Sequence, residues 1–134
     1  MKYMLDTNIC IYIIKQRPKN VFNKFREYKP EDICISSITL AELEYGVAKS
    51  IYKERNKIAL LGFLAPVSVL PFDDVAASKF GEIRANLEKE GQVIGGYDML
   101  IAAHALAKEL ILVTNNADEF NRVEGITLEN WIHE

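Results

Sequence analysis

The chain has 134 residues, 49% hydrophobic and 26% charged, with a formal net charge of -3, which suits one ordinary globular domain with a core of its own. No apolar run approaches the roughly 20 residues of a membrane span, and the amino terminus lacks the pattern of an export signal, so a cytoplasmic protein with no membrane contact is expected. The acidic balance argues against holding nucleic acid by bulk charge, and the two cysteines, Cys10 and Cys34, read as buried thiols without metal-ligand spacing. That balance is uneven along the chain. Of the 16 Lys and Arg, 11 fall in residues 1–57, which hold 7 of the 19 Asp and Glu. Lys15, Arg17, Lys19, Lys24, Arg26 and Lys29 form one basic segment, and Lys49, Lys53, Arg55 and Lys57 a second. Each could meet a phosphate backbone or an acidic partner, though solvated helix faces account for them as simply.

Tyr3, Met4 and Leu5 read as a central strand of a parallel sheet, buried on both faces. Asp6 then falls at the strand's carboxyl end, where open α/β sheets place their ligand sites, although alone it is as readily a cap or turn residue. Thr7 and Asn8 are expected to cap the helix that starts at Ile9. After Arg17-Pro18, Val21, Phe22, Phe25 and Tyr28 recur at helical spacing and complete a helical hairpin. Residues 32–36 are the second strand. Ser36 or Ser37 caps a helix whose apolar stripe is Ile38, Ala41, Tyr45 and Ala48, with Leu40, Leu43 and Val47 as its shoulder. Glu42 lies one turn in, at the edge of the core or facing a cleft. A helix from Tyr52 to Leu64 and a third strand over 67–70 follow. Asp73-Asp74 opens a long helix with Val75, Phe80, Ile83 and Leu87 inward, closed at Gly91. The run from Tyr97 to Ala107 is apolar almost all round and reads as a buried helix with Asp98 in its first turn. Leu110 to Thr114 is a strand followed by Asn115, Asn116, Asp118 and Glu119, and a strand-like piece over 126–128 precedes Trp131. His104 is expected to be a packed core histidine and His133 to be exposed. With no repeat or linker, residues 1–134 are read as a single domain.

Strands alternating with helices imply a three-layer α/β fold, a central parallel sheet of about four to five strands flanked by helices. Right-handed crossovers bring the strand ends to one edge. There the sequence places Asp6, Glu42, Asp98 and the Asn116–Glu119 group. Carboxylates so gathered repel, and they stay ionised together only beside a cation. All-oxygen ligands suit Mg²⁺, with Mn²⁺ as the alternative, rather than zinc. Such an ion most often polarises a phosphate oxygen, which points to metal-assisted phosphodiester hydrolysis. The sequence has no Gly-x-Ser-x-Gly turn, no phosphate-binding glycine loop and no dinucleotide fingerprint.

Four segments in order, Tyr3-Met4-Leu5-Asp6-Thr7-Asn8, Ile35-Ser36-Ser37-Ile38-Thr39-Leu40-Ala41-Glu42-Leu43, Ile94-Gly95-Gly96-Tyr97-Asp98-Met99 through His104, and Leu112-Val113-Thr114-Asn115-Asn116, resemble the PIN-domain VapC toxins of bacterial toxin-antitoxin operons. The likeness spans essentially the whole chain. It implies an Mg²⁺-dependent endoribonuclease that cuts structured RNA, often transfer RNA, to arrest translation. It also implies a homodimer, neutralised by a VapB-type antitoxin whose tail covers the active site, with operator DNA bound through that complex. Matched residue by residue, Asp6 and Asp98 correspond to the metal ligands and Glu42 to the third acid. Where many PIN domains carry an aspartate after the strand-ending Thr, here Thr114, this chain has Asn116. Glu119 is the nearest substitute for the fourth catalytic acid, with Asn116 and Thr114 as auxiliaries, and one firmly bound ion is expected.

Two other readings start from the same residues. Leu5-Asp6-Thr7-Asn8 also resembles the aspartyl nucleophile of haloacid-dehalogenase-type phosphatases, which need a second acid where Asn8 stands. A catalytically silent PIN-fold module that docks an antitoxin or regulatory partner would keep the same carboxylates.

Overall fold

Three fully buried residues, Tyr3–Leu5 (β1), form the middle of a five-stranded parallel sheet in the computed structural model, which describes residues 1–132. The chain continues through α1 (Thr7–Lys15), α2 (Lys19–Glu27), a single 3₁₀ turn at Pro30–Asp32, β2 (Ile33–Ser36), α3 (Ser37–Lys49) and α4 (Lys53–Leu64). It then runs through β3 (Ser68–Leu70), α5 (Asp74–Glu90), α6 (Gly96–Ala107), β4 (Ile111–Val113), α7 (Ala117–Phe120) and β5 (Leu128–Glu129). His133 lies outside the described residues.

The strand order is β3-β2-β1-β4-β5. Successive strands spread one way from β1 as far as β3, and the chain then returns to lay β4 on the other side, pairing Tyr3 with Ile111 and Leu5 with Val113. The gap between the carboxyl ends of β1 and β4 is therefore the switch point at which parallel sheets open a crevice.

Alternation along the strands divides the core in two. Tyr3, Leu5, Ile33, Ile35 and Val113 face one layer, with Ile9, Ile13, Val21, Leu43, Leu60 and Phe63 from α1 to α4. Met4, Cys34 and Leu112 face the other, with Ile83 and Leu87 of α5 and Met99, Ile101, Ala102 and Ala105 of α6. Three of the four alanines of α6, Ala102, Ala103 and Ala105, are fully buried, and their small side chains let that helix lie close to its neighbours.

Local choices differ from the sequence reading in three places. Asp6, not Thr7 or Asn8, is the N-cap of α1, its Oδ1 accepting from Thr7 N at 2.7 Å. On α3 the inward residues are Thr39 and Leu43, with Leu40 and Val47 packed beside them, while Ala41, Tyr45 and Ala48 are exposed. Both stripes satisfy a 3.6-residue period, and the position of α1 and α4 selects between them. On α5 Ala76 is buried and Val75 exposed, since Ala76, Phe80, Ile83 and Leu87 keep a cleaner 4-3-4 spacing. Cys10 and Cys34 are buried free thiols, as expected; burial pushes Cys34 up to about 12 and Cys10 well above the ordinary thiol range.

Trp131 closes the first layer after β5. It is fully buried, stacks on Tyr28 at 5.2 Å and meets Tyr3 edge-on at 5.7 Å. Trp131→Ala should cost about 3–5 kcal/mol, the usual penalty for an aromatic cavity. A urea midpoint followed by circular dichroism checks this, and an unchanged midpoint would deny the cluster any part in the core.

Candidate active site

Each candidate acid arrives on a different element, and each is held by a donor from another. Asp6 follows β1, and its backbone N–H continues the ladder to Val113 O at 2.9 Å. Its side chain, 4% exposed, accepts from the Thr7 amide and, through Oδ2, from the Thr114 hydroxyl at 2.8 Å. The Asn116 amide donates to Thr114 Oγ1 at 3.0 Å, which fixes that hydroxyl in turn. Glu42, one turn into α3, accepts at Oε1 from the Thr7 hydroxyl at 2.8 Å. Glu119 accepts at Oε1 from the Gly95 amide at 3.0 Å and at Oε2 from the Asn116 side-chain amide. Asp98 lies in the first turn of α6, its Oδ2 and Glu119 Oε1 both close to Gly95.

The sequence-predicted residues therefore converge at the switch point. Thr7 was expected only to cap a helix; its backbone amide donates to Asp6 and its hydroxyl to Glu42, so one residue serves two candidate acids. Gly95 entered the sequence reading only as part of the Ile94-to-His104 segment, and its backbone amide donates to Glu119. A polar residue directly after a strand-ending acid is the signal that could have found Thr7. For a backbone amide no residue type exists to read.

Underneath the cluster His104 is fully buried, its Nδ1 2.7 Å from Ser36 Oγ, which also accepts from Ile38 N at 3.1 Å and so caps α3. This contact ties the start of α3, which carries Glu42, to α6, which carries Asp98. Burial lowers the His104 pKa and keeps the ring neutral, as suits a packed histidine rather than a base in the cleft.

Charge crowding shows in the titration of the acids. Burial raises Asp98 to about 6, helped by the charges of Asp6, Glu119 and Glu42. Burial also raises Asp6, against the Thr114 and Thr7 donors and with the charges of Glu42 and Glu119. Glu119 is lowered by the Gly95 amide first and the Asn116 side chain second. Of these acids Asp98 is therefore the one that crowding makes most reluctant to give up its proton.

An oxygen-only cluster that holds protons for want of counter-charge is a chemical fit for Mg²⁺ or Mn²⁺. Among the described residues no group of three or more Asp, Glu, His or Cys side chains is arranged to hold a metal ion, so an ion here would be held by fewer protein ligands. An open arrangement of few carboxylates is the one magnesium takes, since it keeps several waters.

The direction for stability follows from these shifts. Asp98 titrates at about 6 in the fold against an ordinary 3.8, so the folded protein binds the extra proton. Stability then falls as pH rises through that window, and the penalty is fully present above it. With Asp98 half-buried and screened by solvent, the penalty should be about 1 kcal/mol. Without added divalent cation, Asp98→Asn should be the more stable protein at pH 7 and lose this advantage near pH 4. Thermal melts at both pH values check it; a less stable variant at pH 7 would contradict the crowding.

A family model described as the PIN domain matches residues 3–126. Ribonuclease VapC2 of Haemophilus influenzae is 48% identical over 132 residues, covering 98% of this chain and 99% of its own. The tRNA(fMet)-specific endonuclease VapC of Shigella flexneri is 47% identical over 131 residues, covering 98% of both chains. Among solved structures, VapBC2 from Rickettsia felis bound to a DNA fragment from its promoter superposes with a TM-score of 0.92 at 45% identity, over 98% of this chain and 100% of that one. DNA-bound VapBC from Salmonella typhimurium does so with a TM-score of 0.94 at 45% identity, over 98% and 99%. With its acids gathered at the switch point of a five-stranded parallel sheet, and with near-complete overlap with these proteins, the chain belongs to the PIN-domain family, among the VapC ribonucleases.

Proposed function

We propose that the protein is an Mg²⁺-dependent endoribonuclease toxin that cleaves structured RNA, transfer RNA foremost, and so inhibits translation. The observation that carries this is the set of four coupled acids, Asp6, Glu42, Asp98 and Glu119, in a chain that matches named VapC nucleases along nearly its whole length. Asp6 and Asp98 would hold the ion. When bound, Mg²⁺, or Mn²⁺ in its place, supplies positive charge and Lewis acidity beside the scissile phosphate.

The remaining work belongs to side chains. Thr114 and Thr7 each spend a hydroxyl proton on a carboxylate, which aims the opposite oxygens of Asp6 and Glu42. Asp98, whose pKa is raised to about 6, or Glu42 with its Oε2, would orient a water for in-line attack and take its proton; as the new P–O bond forms, the bond to the 3′ oxygen breaks and that oxygen leaves with a proton from solvent. Glu119 adds charge as the fourth acid, and Asn116 with Thr114 keeps it and Asp6 in place.

Solved relatives contain VapB and DNA. By that likeness we assign this chain a VapB-type antitoxin, operator DNA bound through the complex, a homodimeric state and a cytoplasmic setting. Supporting the partners, Glu42 lines an apolar groove of about 320 Å³ with Ile11, Ile14, Leu43, Val47 and Leu60. Tyr45, Ile51, Tyr52, Ile58 and Leu61 lie exposed on and between α3 and α4, apolar side chains that a partner would cover. Among the described residues no helix is long and apolar enough to cross a membrane.

The purified protein, free of antitoxin, should cut a total bacterial RNA pool at a few discrete positions in Mg²⁺. Cleavage should vanish with EDTA, and Asp98→Asn should lower it by at least about a hundredfold. RNA left intact by the folded wild type, or cut equally by the variant, would overturn the assignment and favour a non-catalytic docking module.

A further inference from the structure

Two hydrogen bonds join the α7 turn to the loop that leads into α6. Glu119 Oε1 accepts from Gly95 N at 3.0 Å, and Arg122 Nη1 donates to Val93 O at 3.3 Å. Glu119 and Arg122 stand three residues apart, and the Arg122 amide donates to Glu119 O at 3.2 Å, so one turn of chain presents both side chains to the loop. The gripped residues flank Ile94, which is 5% exposed and packed in the second core layer.

Gly95 is also the N-cap of α6, and its carbonyl accepts the first helical bond, from Met99 N at 2.9 Å. Its amide is held by α7 while its carbonyl starts the helix that carries Asp98. A methyl group on Gly95 would lie 3.4 Å from Asp98 Oδ2 and 4.0 Å from Glu119 Oε1. The backbone there has φ of -55°, which any residue adopts, and the methyl would make only ordinary contacts, so what Gly95 contributes is its backbone amide and its nearness to both carboxylates.

Arg122 is exposed and contributes nothing to either core layer. We propose that Arg122, acting with Glu119, is a positioning residue that clamps the Val93–Gly95 loop and through it holds the first turn of α6, and with it Asp98, in register with Asp6. The functional consequence rests on the assignment of Asp98 as a metal ligand, whereas the clamp itself does not. A cation on the surface of a ribonuclease invites a simpler role, contact with substrate phosphate. The two differ in what they change. A phosphate contact alters RNA affinity, and a clamp alters the loop and the ion site in the absence of RNA.

The test compares the full chain, free of antitoxin, with Arg122→Ala and Arg122→Lys. Three quantities are read: amide exchange over residues 93–98, Mg²⁺ affinity by calorimetry without RNA, and kcat and KM for RNA cleavage. In Arg122→Ala, loss of one exposed hydrogen bond should speed exchange, weaken Mg²⁺ binding and lower kcat, each by about fivefold, with KM held within about twofold. Arg122→Lys, which can still donate to Val93 O, should recover part of each. Unchanged exchange overturns the clamp, as does a raised KM with kcat and Mg²⁺ affinity intact. Faster exchange with Mg²⁺ affinity and kcat unchanged overturns the positioning role. Asp98→Asn separates the two levels: Mg²⁺ binding and cleavage that survive in it overturn the ligand assignment, while exchange in Arg122→Ala still decides whether the loop is held.

Discussion

Carboxylates brought to one strand edge repel one another, and a fold that gathers them must hold each against that repulsion until a cation relieves it. The holding groups here are neutral: the Thr114 and Thr7 hydroxyls, the Gly95 amide and the Asn116 side chain. Asn116, the N-cap of α7, serves Glu119 within its own turn, but the other three reach their acids from a different element. Thr114 reaches across from β4 to the end of β1, Thr7 from α1 to α3, and Gly95 from the α6 cap to α7. The cluster therefore exists only when the parallel order is complete, and local structure alone would scatter it. The buried contact between Ser36 and His104 acts in the same sense from below, tying together the two helices that carry Glu42 and Asp98.

Much of this was legible before any coordinates. The unbroken apolar character of Tyr3-Met4-Leu5 and of Leu110 to Val113 marks strands buried on both faces, and an acid after the first of them points at the ligand edge because parallel sheets have only one such edge. Asp98 was legible from the contrast between one carboxylate and an otherwise apolar helix. What stayed hidden depended on distant neighbours. Whether α3 buries Ala41 and Tyr45 or Leu40 and Leu43 is undecided by period and is settled by where α1 and α4 pack. Ala76 was passed over for Val75 because a larger side chain looks like the better core residue, whereas spacing decides. The capping role of Asp6 and its place in the acid cluster looked like alternatives, yet its two oxygens serve one each. Gly95 donates through its backbone amide and Arg122 meets a backbone carbonyl, and those backbone atoms carry no residue-type signal.

The basic first half also takes on a definite geometry. Lys2 sits over the Tyr3 ring at 5.2 Å and Lys24 over Tyr28 at 5.5 Å, beside Trp131. Tyr3 opens β1, so these cations lie at the amino edge of the sheet, the far side from the acids that follow its carboxyl end. Lys2 and Lys24 are thereby kept from neutralising carboxylates whose unrelieved charge is what attracts a divalent ion.

The Tyr3, Tyr28 and Trp131 cluster has a practical consequence. The first strand begins at this cluster and the Trp131 ring locks onto it, so the start of the chain is pinned on the amino side of the sheet, away from the acids that follow its carboxyl end. A purification tag, a fluorophore or a surface linker joined at the amino end would point away from the cleft. Molecules immobilised through such a linker would all present their acids outward to a solution of RNA.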